Sequence, residues 1–278
     1  MTDAFDHGAL IEDVVALVER AGAEILRVYR SAFAVEKKDD DSPLTQADLA
    51  SHRTLVAGLR ALAPEVPIVS EESSPPPFAE RRAWPRHWLV DPLDGTKEFV
   101  SKNGEFTVNV ALIEAGRPVL GIVGVPVLGN VYVGSVPAQR AERRSGGATT
   151  RLRCRPLDRA KPIVVVASRS HGGERLERYL GSLSANVVGI ERTSMGSSLK
   201  FCVLAEARAD FYPRLGPTSE WDVAAAQAVL EAAGGAVWTL DGGALRYNTK
   251  ESFLNPDFIA VADPSAPWRQ LLPAAAGA

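Results

Sequence analysis

Leu10, Ile11, Val14, Val15, Leu17, Val18, Ala21, Ile25 and Leu26 recur at the three- and four-residue spacing of a single helical face, and Leu49, His52, Leu55, Val56, Leu59 and Leu62 repeat that pattern. Two amphipathic helices are therefore expected to open the chain. The connection between them, Glu36 to Thr45, is polar, with a run of aspartates before Ser42-Pro43, and it ends in Thr45-Gln46-Ala47-Asp48 where the second helix should begin. Shorter apolar runs at Ile68-Val69, Trp88 to Val90, Phe106 to Ile113, Val119 to Val125 and Val131 to Val133 are bounded by charged or turn-forming residues and are expected to be strands.

In the second half, strand-like and helix-like segments alternate: Ile163 to Ala167, Glu174 to Leu183, Val187 to Ile190, Ser197 to Glu206 and Ala209 to Tyr212. Alternation of this kind predicts an α/β layered fold. A further helix over Glu220 to Ala233 is apolar almost all round and is stopped by Gly234-Gly235, as befits a helix buried between layers.

Composition narrows the picture. The 278 residues are 46% hydrophobic and 23% charged, ordinary for a globular chain. With 31 basic and 34 acidic residues the formal charge is −3, so no whole-molecule field gathers a nucleic acid and any anionic ligand must be met locally. Cys154 and Cys202 lack metal-ligand spacing and fit a reducing cytoplasm. No signal peptide is expected from the acidic segment Met1 to Gly8, and no apolar run reaches the ~18 residues of a membrane span. From Ala138 to Arg155 glycine, threonine and arginine dominate, which reads as a solvated hairpin or flap leading to a second lobe; the expected lobes are residues 1–156 and 157–278.

The densest chemistry lies in Trp88-Leu89-Val90-Asp91-Pro92-Leu93-Asp94-Gly95-Thr96, where an apolar strand delivers two carboxylates and a hydroxyl at its carboxyl end. Pro92 and Gly95 favour a tight turn that can aim the Leu93 carbonyl inward, making an oxygen-only donor set of the kind Mg²⁺ prefers. The same residues also describe a Pro-Asp-Gly turn with solvated aspartates. Ser70-Glu71-Glu72 ends another strand and, taken alone, reads as a solvated loop more often than as a site, while in Ser219-Glu220-Trp221-Asp222 the serine can cap the buried helix and Asp222 can serve as its first-turn acid.

Asp91-Pro-Leu-Asp-Gly-Thr96 and Glu220-Trp-Asp-Val-Ala-Ala225 resemble the signatures of the inositol monophosphatase superfamily. Lys97-Glu98-Phe99 after the Gly-Thr, together with Asp41 to Asp48, Asn103 to Asn109, Ser168 to His171 and Gly196 to Cys202, is more similar to its CysQ-type 3′(2′),5′-bisphosphate nucleotidases than to its inositol phosphatases. The resemblance runs from about residue 35 to residue 235 and implies an alternating αβαβα sandwich of the inositol monophosphatase and fructose-1,6-bisphosphatase type.

It also implies an enzyme that hydrolyses adenosine 3′,5′-bisphosphate, and by extension 3′-phosphoadenylyl sulfate, in sulfate assimilation, with two or three Mg²⁺ ions and inhibition by Li⁺. The implied metal ligands are Glu71, Asp91, the Leu93 carbonyl, Asp94 and Asp222, with Asp91 bridging. Thr96 and Asp48 are implied to orient the attacking water, with Glu71 as a second acceptor. Substrate contacts are implied for Glu71, Leu93, Asp94, Gly95, Thr96, Asp222 and, outside the metal centre, His171, Ser197, Lys200 and Arg214. Read without the family, Lys200 and Arg214 are also compatible with exposed surface cations and His171 with a loop histidine. An inositol-1-phosphate or sugar-phosphate phosphatase is the alternative within the same chemistry, and a catalytically silent nucleotide-binding scaffold is the alternative outside it; oligomeric state is left open.

Overall fold

The computed structural model describes residues 7–31, 35–37, 43–168 and 173–272. Helix α1 (His7–Tyr29) buries the apolar stripe from Ile11 to Val28. Strands β1 (Val35–Lys37) and β2 (Pro43–Thr45) pair antiparallel, so the flanks of the expected polar connection form a short ribbon; residues 38–42 lie outside the described residues. Thr45 then caps α2 (Gln46–Leu62).

The first sheet is built from β3 (Ile68–Ser70), β4 (Arg86–Asp94), β5 (Thr107–Glu114), β6 (Arg117–Val125), β7 (Asn130–Ser135), β8 (Arg140–Ser145) and β9 (Ala148–Arg151), in that spatial order. Only β3 and β4 run parallel; the remaining neighbours are antiparallel. Two short helices interrupt it, α3 (Phe78–Arg81) and α4 (Thr96–Val100). The second sheet holds β10 (Ile163–Ser168), β11 (Ile190–Met195), β12 (Phe211–Arg214), β13 (Ala236–Thr239) and β14 (Phe258–Val261), ordered β11-β10-β12-β14-β13. Helices α5 (Glu174–Ser184), α6 (Leu199–Ala205), α7 (Glu220–Ala232) and α8 (Trp268–Leu271) complete the chain.

Strand alternation assigns the layers. Trp88, Val90, Val108, Val110, Leu112, Leu120 and Ile122 point to one face and pack beneath α1 and α2. Leu89, Ala111, Val123 and Val125 point to the other and meet α6 and α7, which also cover Tyr212, Phe258 and Ala260 of the second sheet. The far face of that sheet, through Val165, Phe211 and Ile259, packs on α5 and Trp268. The order is therefore αβαβα, with both sheets covered on both sides, which is why their inner strands read as continuous apolar runs.

Three expectations shift. Val187 to Ile190 is not a strand: Val188 is 67% exposed, and pairing with β10 begins only at Ile190 opposite Ile163, so the polar edge strand β11 follows the apolar run. Strands β13 and β14 were not expected. The arginine-rich segment is the expected hairpin, continuing the first sheet, but much of its charge is paired instead of solvated: Arg144 bridges Glu12 and Glu142 and Arg143 meets Glu206, while Arg155 beyond the hairpin meets Asp210. Among the described residues no helix is long and apolar enough to cross a membrane.

Helix α7 sits unusually close to the first sheet because glycines face it. A Cβ on Gly121 would lie 2.1 Å from Ala225 O, and one on Gly134 would lie 2.4 Å from Val229 Cα. Backbone cannot yield as a flexible side chain can, so Gly121→Ala is expected to destabilise the protein by about 3 kcal/mol or more, read as a lowered urea midpoint. An unchanged midpoint would show that α7 does not press on β6.

Candidate active site

The site forms where β3 and β4 end and the N-terminus of α7 arrives from the opposite layer. Strand β4 pairs with β5 in register at Asp91 opposite Asn109 and again at Asp94 opposite Thr107, and the register shifts between them. That irregularity accommodates Pro92, which cannot donate to the ladder, and re-aims the neighbouring groups. The Pro92 carbonyl accepts from Ser51 Oγ at 2.7 Å, while the Leu93 carbonyl lies 3.4 Å from Thr96 Oγ1.

Asp91 is 1% exposed, and its Oδ1 accepts from Leu93 N at 3.0 Å. Burial, followed by the charges of Glu71, Asp94 and Asp222, pushes its carboxyl well above the usual carboxylate range, and Glu71 stands within hydrogen-bonding reach of it. Asp94 is pushed up by burial and held back by Lys200 and by Ser198 N, which donates to its Oδ2 at 2.6 Å. Asp222 is pushed up by burial and by Asp94 and Glu71, against the Ser219 N–H that donates to its Oδ2 at 2.9 Å. The four carboxylates thus face one another electrostatically, and Asp91, Asp94 and Asp222 are each anchored through one oxygen to a backbone N–H. Among the described residues no three acidic, histidine or cysteine side chains close tightly around a point.

Asp48 and Asp222 share a device. Each is the third residue of its helix and spends Oδ2 on the capping residue: Thr45 N at 2.8 Å and Thr45 Oγ1 at 2.6 Å for Asp48, Ser219 N for Asp222. This orients the other oxygen, and in Asp48 Oδ1 lies 3.4 Å from Thr96 Oγ1. In Asp48, capping and the approach to Thr96 thus belong to different oxygens of one side chain.

The second sheet contributes the corner Gly196-Ser197-Ser198. Ser197 adopts φ +49 and places Oγ 2.9 Å from Asp94 O and 2.7 Å from Glu105 O. A Cβ at Gly95, itself at φ +90, would lie 2.2 Å from that hydroxyl, so the approach requires glycine. Lys200 is 5% exposed, donates to Ser197 O at 2.5 Å, and is pulled down to about 8 by burial, against the attraction of Asp94. Arg214 is 8% exposed and donates to Gly216 O at 3.2 Å and Pro217 O at 2.6 Å.

One cleft is lined by Asp94, Gly95, Thr96, Ser197, Lys200, Arg214 and Asp222. Lys200 and Arg214 are thus buried rather than surface cations. His171 lies outside the described residues. The sequence reading did not single out Ser198, Asn109 and Thr107, which network with one another around Asp94. Nor did it single out Tyr212, which lines the cleft beside Arg214; their separation by two along β12 is the signal that would have found it.

The inositol monophosphatase family model matches residues 9–274. The chain is 48% identical over 251 residues to the 3′(2′),5′-bisphosphate nucleotidase CysQ of Salmonella typhimurium and 46% identical to that of Escherichia coli K12, covering 90% of this chain and 98% of each relative. The crystal structure of CysQ from Bacteroides thetaiotaomicron, a bacterial member of the same family, superposes with a TM-score of 0.82 at 37% identity, covering 94% of this chain and 99% of that one. An inositol monophosphatase from Zymomonas mobilis, at 22% identity and a TM-score of 0.76 over 96% of this chain and 98% of its own, shares the fold. By sequence along nearly its whole length and by the layered architecture that length adopts, the chain belongs to the inositol monophosphatase family.

Proposed function

We propose that the chain is a 3′(2′),5′-bisphosphate nucleotidase, a phosphoric monoester hydrolase that converts adenosine 3′,5′-bisphosphate to AMP and phosphate. The observation that carries this reading is one cleft whose lining combines an acidic set, Asp94 and Asp222, with a buried cationic set, Lys200 and Arg214. The first suits a divalent cation and the second suits a further phosphate, which a simple monoester lacks. Identity to the CysQ nucleotidases supports the same substrate class. Extension to 3′-phosphoadenylyl sulfate, and with it a place in sulfate assimilation, belongs to the proposal because that nucleotide carries the same 3′-phosphate beside a second anionic group.

Mg²⁺ fits the acidic side. Asp91 and Glu71 stand in hydrogen-bonding contact although both are acids, and Asp91, Asp94 and Asp222 are all shifted toward the protonated form, a conflict that a cation removes. The donors are oxygens throughout. In this reading Glu71, Asp91, the Leu93 carbonyl, Asp94 and Asp222 hold two or three ions, and Li⁺ inhibits. What Mg²⁺ supplies when bound is compensation of charge on the transferred phosphoryl group and the leaving oxygen.

The chain's own residues hold the proton of the attacking water. Asp48 Oδ2 is fixed by Thr45, so Oδ1 is presented to Thr96. With its hydrogen turned to Asp48 Oδ1, Thr96 Oγ1 offers lone pairs that accept from water, and Glu71 is the second acceptor. Gly95 and Thr96 line the cleft where the 3′-phosphate enters, and Lys200 and Arg214 keep the second phosphate in place.

With Mg²⁺, adenosine 3′,5′-bisphosphate is expected to be cleaved with a kcat/KM about 10- to 100-fold above that for inositol-1-phosphate, and Asp91→Asn is expected to lower the rate about a thousandfold. The reverse preference would transfer the site to inositol phosphates, and no phosphate release from either would favour a silent binding protein. Lys200→Met and Arg214→Met are each expected to lower kcat/KM for the bisphosphate about 10- to 100-fold while affecting 3′-AMP far less. Equal losses on both nucleotides would place these cations outside the second phosphate's site.

A further inference from the structure

A buried arginine outside the cleft joins the two segments that carry Glu71 and Asp222. Glu71 follows β3 directly, and the chain passes through the proline-rich turn to α3, which Arg81 closes at 1% exposure. The Arg81 guanidinium donates to Asn248 Oδ1, to Lys250 O at 3.0 Å and to Glu251 O, and lies 4.2 Å from the ring centre of Phe253 and 4.9 Å from that of Phe78. Asn248 returns a bond from Nδ2 to Arg81 O at 2.7 Å. Held at φ +54, Asn248 also directs its backbone N–H to Glu220 Oε2 at 2.8 Å. Glu220 is fully buried at the first position of α7, its own N–H donating to Phe253 O at 2.8 Å, and Asp222 follows two residues later.

We infer that residues 248–253 form a strap, pinned by Arg81 on one side and Glu220 on the other, that sets Glu71 opposite Asp222, and that Arg81 and Asn248 are positioning residues for these carboxylates. The inference rests on the reading of Glu71 and Asp222 as Mg²⁺ ligands. Helix α3 is a single turn, too short to hold its own place, so its position is set by what Arg81 grips. A planar guanidinium holds its donors in fixed directions toward these three acceptors, whereas the three donors of an ammonium sit on one point at the end of a flexible stem. Mutual repulsion drives the carboxylates apart, and the strap ties their carriers together through neutral and charged bonds that touch neither carboxylate.

The test is calorimetric titration of Mg²⁺ into the metal-stripped full-length protein, alongside phosphate release from adenosine 3′,5′-bisphosphate over a Mg²⁺ series. Arg81→Lys keeps the charge and loses the fork. Asn248→Gly keeps the left-handed backbone and the N–H to Glu220 while losing the side-chain pair. Each is expected to weaken Mg²⁺ binding about tenfold, with kcat and the nucleotide KM at saturating Mg²⁺ near wild type. Wild-type Mg²⁺ affinity in the folded variants overturns the inference, whatever their melting temperatures, and Asn248→Gly alone decides if Arg81→Lys does not fold. Absence of Mg²⁺ binding by the wild type overturns instead the carboxylate reading on which the strap depends.

Discussion

Like-charge repulsion within a cluster of carboxylates, with Asp91 buried among partly buried Glu71, Asp94 and Asp222, is the constraint that the rest of this structure answers. Asp91 lies at the end of a fully covered strand with Glu71 in contact and Asp94 and Asp222 nearby, and burial alone already disfavours its charged form. Such a cluster, when ionised and without a cation, does not stabilise a fold. It persists because its members are carried by elements whose packing is settled elsewhere: β3 and β4 beneath α1 and α2, and α7 wedged between the two sheets.

The anchoring is economical in atoms. One oxygen each of Asp48 and Asp222 caps a helix, one of Asp94 takes the Ser198 N–H, and one of Asp91 takes the N–H two residues on. Each bond fixes a carboxylate through one of its two oxygens. The layers meet at contacts that tolerate no side chain, Gly121 under α7 and Gly95 under Ser197, so Asp222 of α7, Lys200 of α6 and Arg214 of β12 come to the ends of the first sheet at close range.

How much of this was legible in the sequence depended on whether the signal was local. Periodicity disclosed α1, α2 and the apolar α7, and the clustering of Asp91, Asp94 and Thr96 at a strand end disclosed the acidic side, because those patterns are written within a few residues. Val187-Val188 misled because β-branched residues in an exposed turn carry strand propensity without a partner, whereas polar β11 gains its place from parallel pairing with β10. The arginines between Ala138 and Arg155 read as solvated because the partners of Arg144, Arg143 and Arg155, namely Glu12, Glu206 and Asp210, are distant in sequence. Arg81 was silent for the same reason, since Asn248 stands 167 residues away. The resemblance of short segments to a known family, rather than residue chemistry alone, pointed to Lys200 and Arg214, and burial in the cleft is what distinguishes them from surface cations.

The central claim is that the carboxylate cluster is an incomplete site which a divalent cation completes. Because Asp91, Asp94 and Asp222 are pushed above the usual carboxylate range in the folded chain, the fold binds protons more tightly than the unfolded chain does. The stability these groups contribute without metal is therefore full below the ordinary carboxylate pKa and is lost as pH rises through the raised values. The direct measurement is the thermal unfolding midpoint of the metal-stripped protein with and without Mg²⁺, near neutrality and again near the ordinary carboxylate pKa. A large Mg²⁺-dependent rise near neutrality that shrinks in acid is the predicted result; no rise at neutrality, or one that ignores pH, would contradict it.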